Sequence, residues 1–189
     1  MSQLQVITGP MMAGKTTELL KRLLRYSSIG KKCLYVNSIL DTRGETYSTH
    51  NPIYKEVFEN ENITFFSTKL LDHGYIYYEY FDVIAIDEAQ FFTYLKDIVV
   101  HMVDDMKKIV IVSGLDLDFK RNKFGEINEL IPFADKTTKL FSYCMECSKI
   151  GKVTNALFTH KTVEGDSEID VGGSEKYKPL CRECFISSN

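Results

Sequence analysis

The sequence has no apolar run approaching the roughly 18 to 20 residues that cross a bilayer, so no helical membrane span and no membrane partner is expected. It also lacks any excess of positive charge. Its 23 Lys and Arg against 26 Asp and Glu give a net charge of −3 and a pI of about 5.8. A chain of that balance has no general electrostatic hold on nucleic acid or on an anionic surface. No basic stretch with an apolar core opens the chain, so no secretory signal is read there and the expected location is cytoplasmic. Repeats and low-complexity tracts are absent. Histidine is scarce and has no ligand spacing: His50, His73 and His160 sit in polar segments, and His101 falls mid-helix on a surface or structural position.

What is present is ordinary globular material. The 189 residues are 44% apolar and 26% charged, enough for one domain and a small appendage. Leu4 to Thr8 reads as a short buried strand. Thr17 to Ile29 reads as a helix with Leu19, Leu20, Leu23 and Leu24 in one stripe, stopping at Gly30. Lys32 to Val36 looks like a second strand, and the polar stretch Thr42 to Asn62 like a long loop. Phe81 to Ile86 is a strongly apolar strand, Tyr94 to Met106 a helix, and Lys108 to Ser113 another buried strand. Near-continuous apolar strands alternating with helices predict an α/β fold with a parallel sheet covered on both faces. From about Phe141 the texture shifts to cysteine, glycine and lysine, which predicts a boundary between residues 1–140 and 141–189.

The first strand runs into Gly9-Pro10-Met11-Met12-Ala13-Gly14-Lys15-Thr16. Strand, G-x-x-x-x-G-K-T and helix together are the context of a phosphate-binding loop. Glycines let successive amides turn inward, and the helix start adds its positive dipole end. Lys15 would reach the outer phosphates, and the Thr16 hydroxyl would ligate magnesium. Met11 and Met12 either cap the core or form an apolar wall for a flat substrate.

Asp87-Glu88-Ala89-Gln90 follows the apolar strand directly. Asp87 suits the second magnesium-holding carboxylate of such a site. Glu88 beside it could activate water, as in an ATPase, or take the proton of a substrate hydroxyl, as in a kinase. The stretch is also similar to the acidic motif of helicases, but the chain has neither the length nor the basic track of those enzymes.

Cys144 and Cys147, with Cys181 and Cys184, form two C-x-x-C pairs whose four thiolates suit a closed, structural zinc site. The intervening 33 residues, 148–180, exceed the usual ribbon spacing. A loop tied at its base by a metal can cover a site. Gly172-Gly173 within it either makes a turn or lets backbone approach a ligand. Cys33 reads as a small core residue.

Taken in order, five stretches resemble the type II thymidine kinases, the cellular, bacterial and poxvirus-like group. They are the Gly9–Thr16 loop, Asp41-Thr42-Arg43, Asp87 to Phe92, Gly114-Leu115-Asp116 with Phe119 and Phe124-Gly125, and the cysteine pairs around Gly172-Gly173 and Lys176-Tyr177. The resemblance covers nearly the whole chain. It implies a P-loop NTPase-like domain and a small zinc-binding domain carrying a "lasso" loop. It further implies transfer of the γ-phosphoryl group of ATP to the 5′-hydroxyl of thymidine, with magnesium held by Thr16 and Asp87. Glu88 would be the base, Lys15 would hold the phosphates, and Arg43 would steady the moving phosphoryl group. Gly9, Pro10, Met12, Ala13, Gly14, Thr16, Thr17, Asp87 and Gln90 would contact ATP. Met11, Phe91, Leu115, Phe119, Phe124 and Tyr177 would line the thymidine pocket, with main-chain groups near Thr154, Val171 and Gly172 at the base edge. A homotetramer, acceptance of deoxyuridine and feedback by dTTP are implied on the same ground. Ala156 departs from the family pattern, where many members carry Arg. Two other readings of the residues stand beside this one: a nucleotide-triggered ATPase switch, and a zinc-containing nucleic-acid module that the acidic pI disfavours.

Overall fold

A computed structural model describes residues 1–39, 57–71, 76–162 and 176–188. Its centre is a six-stranded, all-parallel sheet with strand order β3-β2-β4-β5-β1-β6. The strands are β1 (Gln3–Thr8), β2 (Cys33–Ser38), β3 (Ile63–Thr68), β4 (Val83–Ile86), β5 (Ile109–Gly114) and β6 (Lys136–Lys139). Helix α1 (Lys15–Ser27) follows β1, and helix α2 (Leu95–Asp104) lies between β4 and β5.

The period of two along each strand decides which helix covers which face. Leu4 and Val6 of β1, Leu34 and Val36 of β2, Ile84 and Ile86 of β4, and Val110 and Val112 of β5 point to one side. There they pack with Leu95, Val99 and Met102 of α2. Ile7, Cys33, Tyr35, Val83, Ala85 and Ile111 point to the other, against Leu19, Leu20 and Leu23 of α1. Both faces are apolar over the middle of the sheet, so β4 and β5 read as near-unbroken hydrophobic runs. The α1 stripe at i, i+1, i+4 matches its buried residues, and burying each of these leucines contributes about 1.5–3 kcal/mol.

The structure corrects several expectations. Helix α1 starts at Lys15, two residues before Thr17, because Gly14 adopts a left-handed φ of 78° and the loop feeds directly into the helix. Strands β3 and β6 were not anticipated, and both lie at the ends of the sheet order. β3 sends Ile63 and Phe65 to one core and Phe66 to the other, whereas β6 is polar throughout, as an edge strand can be. The whole of β6 is Lys136-Thr137-Thr138-Lys139, paired in parallel with β1 from Gln5↔Lys136 to Thr8↔Lys139.

Beyond residue 140 the chain builds two small antiparallel pairs. One joins β7 (Ser142–Tyr143) to β8 (Asn155–Ala156), the other β9 (Phe158–Lys161) to β10 (Tyr177–Leu180). Short helices α3 (Met145–Lys149) and α4 (Arg182–Ser187) each follow a cysteine. A separate small apolar cluster of Cys144, Ala156, Phe158, Leu180, Cys181 and Phe185 holds this region together. Ala156 is fully buried in that cluster. No helix among the described residues is long and apolar enough to cross a membrane.

Candidate active site

Three neighbouring strands deliver three motifs to one edge of the sheet. β1 ends in the Gly9–Thr16 loop, β4 in Asp87-Glu88, and β5 in Gly114-Leu115. In open parallel sheets, ligands bind outside the carboxyl ends of the strands.

The loop's shape depends on backbone that only glycine tolerates. Gly9 has φ 148°, and a Cβ there would lie 2.6 Å from the carbonyl oxygen of Leu140. Among the described residues no side chain caps the α1 N-terminus. Lys15 is buried and its Nζ donates to the carbonyl of Pro10 at 2.9 Å. Met11 is buried at the loop crest, whereas Met12 has a left-handed φ of 62° and is exposed. The Met11 N–H donates to Thr159 Oγ1 at 3.0 Å, which links the loop to β9.

Asp87 is buried at the end of β4. Its carboxylate accepts from the Tyr35 hydroxyl at 3.0 Å and from the Glu88 N–H at 3.0 Å. Burial, and then the neighbouring Glu88 charge, push its carboxyl above the ordinary range, while the Thr16 and Ser113 hydroxyls facing it pull the other way. Ser113 Oγ is itself buried without a hydrogen-bond partner in good geometry. A buried carboxylate disfavoured as a lone charge, with hydroxyl oxygens around it, is a hard-oxygen donor set that fits magnesium.

Glu88 is buried and sits in the left-handed region at φ 48°, ψ 42°. A non-glycine residue there carries about 1–2 kcal/mol of strain. Its Oε2 accepts from Gln90 Nε2 at 2.7 Å, and Gln90 Oε1 in turn accepts the Leu115 N–H at 2.9 Å. Phe91 meets Phe124 edge to face with centroids 5.7 Å apart.

Leu115 to Phe124 form a tight excursion after β5. Leu117 bridges Lys123, and the Asp118 carboxylate accepts the N–H groups of Lys120 and Asn122. Asp116 anchors its base: its carboxylate accepts Lys139 Nζ at 2.6 Å, and its carbonyl accepts from the Asn128 side chain. At the tip, Phe119 lies beneath the Lys161 ammonium at 5.1 Å. Arg121 stacks over Phe158 and Phe185 at 5.5 and 5.2 Å. Tyr177 is buried on β10 opposite Lys161.

The four cysteines come together, with their sulfur atoms all within 4.8 Å of one another. Cys147 Sγ lies 3.8 Å from that of Cys181 and 3.6 Å from that of Cys184. Tetrahedral zinc with Zn–S of about 2.3 Å requires sulfurs about 3.8 Å apart. Burial works against ionising Cys144, yet main-chain N–H groups of Cys147 and Cys181 and the adjacent thiols hold it at about 6. The Cys181 and Cys147 sulfurs push Cys184 upward. The set could hold a metal ion, and a divalent cation would relieve that competition. Thr154 lies beside these cysteines: its carbonyl accepts the Cys144 N–H at 2.8 Å, and its hydroxyl faces Cys147.

Arg43, Val171 and Gly172 lie outside the described residues. His160 is on β9, edge-on to the Phe185 ring at 5.8 Å, and Cys33 is buried in the α1-side core. Thr159, Arg121, Tyr35 and Ser113 are site neighbours that no local motif marks.

The family model described as "Thymidine kinase" matches residues 2–185. The chain belongs to the thymidine kinase family. It is 40% identical over 186 residues to the thymidine kinase of Myxoma virus (strain Uriarra), covering 97% of this chain and 96% of that protein. It is 36% identical to that of Choristoneura fumiferana entomopoxvirus, covering 98% and 97%. Against the thymidine kinase of Oryza sativa subsp. japonica it is 39% identical, covering 97% of this chain and 66% of that protein. Family membership makes the chain a kinase, and the cluster at the end of β4 is its candidate active site.

Proposed function

We propose that the chain transfers the γ-phosphoryl group of ATP to the 5′-hydroxyl of thymidine, giving dTMP and ADP. The observation that carries this reading is that Asp87-Glu88 at the end of β4 and the Gly9–Thr16 loop at the end of β1 lie at the same edge of the six-stranded sheet. In the proposed reaction the 5′-oxygen forms a bond to the γ-phosphorus as the bond to the β,γ-bridging oxygen breaks. Glu88 takes the hydroxyl proton. Loop amides and Lys15 hold the phosphates. Magnesium, held by Thr16 and Asp87, neutralises phosphate charge when bound.

The neighbourhood of Met11, Phe91, Leu115, Phe119, Phe124 and Tyr177 suits a flat, mostly apolar base. Main-chain groups near Thr154, Val171 and Gly172 would meet its edge, and Arg43 would steady the transferring group. A water-excluding cover, drawn from the zinc-tied region 141–189, would favour transfer to the sugar over hydrolysis. The same reading extends to deoxyuridine as a second acceptor, feedback by dTTP, a homotetramer and a cytoplasmic role in nucleotide salvage.

The test is Glu88→Gln assayed with ATP and magnesium, with and without each of the four natural deoxynucleosides. Thymidine-dependent ADP release by the parent, falling about 100-fold or more in the variant while ATP binding persists, is expected. ADP release indifferent to nucleosides would instead make the protein an ATPase. Full activity of the variant would remove Glu88 from the base role.

A further inference from the structure

Gln90 has the placement of a brace. It is buried in the 3-10 turn Ala89–Phe91, and both ends of its amide are engaged. Nε2 donates to Glu88 Oε2 at 2.7 Å, and Oε1 accepts the Leu115 N–H at 2.9 Å. Chemistry dictates that orientation. A carboxylate accepts and a main-chain N–H donates, so the amide nitrogen must face Glu88 and the amide oxygen must face Leu115. An amide meets both demands at once. A second carboxylate cannot donate, an ammonium cannot accept, and a thioether does neither well.

The surroundings close on this side chain from two further directions. A Cβ on Gly114 would lie 2.6 Å from Gln90 Oε1, and one on Gly125 would run into the Gln90 main-chain carbonyl. Gly125 in turn follows Phe124, whose ring meets Phe91. Glu88 holds a left-handed backbone conformation, which persists only where neighbours over-determine it.

We propose that Gln90 is a positioning residue that orients the Glu88 carboxylate through its Nε2 while anchoring the Leu115 end of β5 through its Oε1. It joins the proton-accepting group to the start of the Leu115–Phe124 excursion. The proposal rests on the reading of Glu88 as the base.

Three variants of the full chain test it: Gln90→Glu, Gln90→Met and the double variant Glu88→Gln/Gln90→Met, with Glu88→Gln alone as reference. Gln90→Glu keeps an acceptor for Leu115 but turns a second carboxyl toward Glu88 in place of the donor, whereas Gln90→Met removes the donor without adding charge. If Gln90 acts through Glu88, both single variants lose about 10- to 100-fold in kcat with KM for ATP within twofold of the parent. The double variant is then no slower than Glu88→Gln alone, because removing the base already removes what Gln90 orients. Gln90→Glu retaining parental kcat would overturn the proposal, as would a raised KM for ATP at unchanged kcat. Circular dichroism confirms that each variant is folded; should Gln90→Met not fold, the near-isosteric Gln90→Glu carries the test. If Glu88→Gln is inactive and the Gln90 variants are parental, only the brace fails. If Glu88→Gln is fully active, the base reading itself fails.

Discussion

The main-chain N–H of Met11 and the hydroxyl of Thr159 meet at 3.0 Å across 148 positions of sequence, and the bond is buried. It ties the Gly9–Thr16 loop to β9, the strand that also carries Phe158 over the cysteine-bearing helix α4. The loop and the C-terminal region therefore share a buried hydrogen bond, and a change at one is felt at the other.

Thr159→Val removes the acceptor and leaves a buried N–H unpaired, a loss of about 1–3 kcal/mol. Each kcal/mol corresponds to a fall of roughly 2–4 °C in Tm for a chain of this size. KM for ATP is expected to rise along with the drop in Tm. Thermal unfolding and steady-state kinetics check this, and an unchanged Tm would mean that the bond contributes nothing net.

Metal analysis of the purified chain is expected to find about one zinc per chain, bound by the four thiolates. Chelation, or Cys147→Ser, should loosen the small cluster around Phe158 and Phe185 before it touches the large sheet, since those residues pack chiefly on the cysteines and one another. Hydrogen exchange localises the effect. Faster exchange in β9 and β10, with β1, β4 and β5 still protected, is the expected pattern.

Arg121 joins the Leu115–Phe124 excursion to the same cluster by stacking on Phe158 and Phe185. Exposed contacts of this kind contribute roughly 0.5–1 kcal/mol. Arg121→Met should leave KM for ATP nearly unchanged and raise KM for thymidine several-fold, because Phe119 and Phe124 sit on the freed segment. Equal changes for both substrates would place the effect elsewhere.

Asp82 clamps the entry to β2: its carboxylate accepts the Lys32 N–H at 3.0 Å and pairs with Lys31 at 3.2 Å. The Lys32 N–H chiefly, with the Lys31 and Lys108 charges, holds its carboxyl below the ordinary value against a partly opposing burial effect. A depressed folded-state value stabilises the fold above the unfolded-state value and loses that contribution as pH falls through the folded one. Asp82→Asn should therefore lower Tm near pH 7 by no more than about 3 °C, since the pair is half-exposed. The difference should vanish in acid below the carboxylate range. A Tm gap independent of pH would assign the effect to the hydrogen bonds alone.

Much of the architecture was legible along the chain. Strands β4 and β5 are apolar on both faces, so their runs stand out whatever surrounds them, β1 shows Leu4, Val6 and Ile7 beside a polar Gln5, and α1 announces itself through Leu19, Leu20 and Leu23. Strand β6 was not legible, because an edge strand of two lysines and two threonines needs only a neighbour's open backbone to pair with. Lys15, Thr16, Asp87 and Glu88 stand out as candidates because each motif is contiguous with a strand end. Thr159 and Arg121 were missed because their partners lie far along the chain.

The sequence by itself determined that apolar strands alternate with helices, the residue types of the Gly9–Thr16 loop and the acidic strand end, and the two cysteine pairs. Each depends on neighbours within a few positions, through strand alternation, helix periodicity or a turn that only glycine accepts. The tertiary structure alone decided that Gln90 faces Glu88 on one side and Leu115 on the other, that Thr159 reaches Met11, and that Arg121 covers two rings of the cysteine-bearing region. Those contacts are set by how packed elements come to rest against each other. The same side chains on their own would be as well satisfied by water.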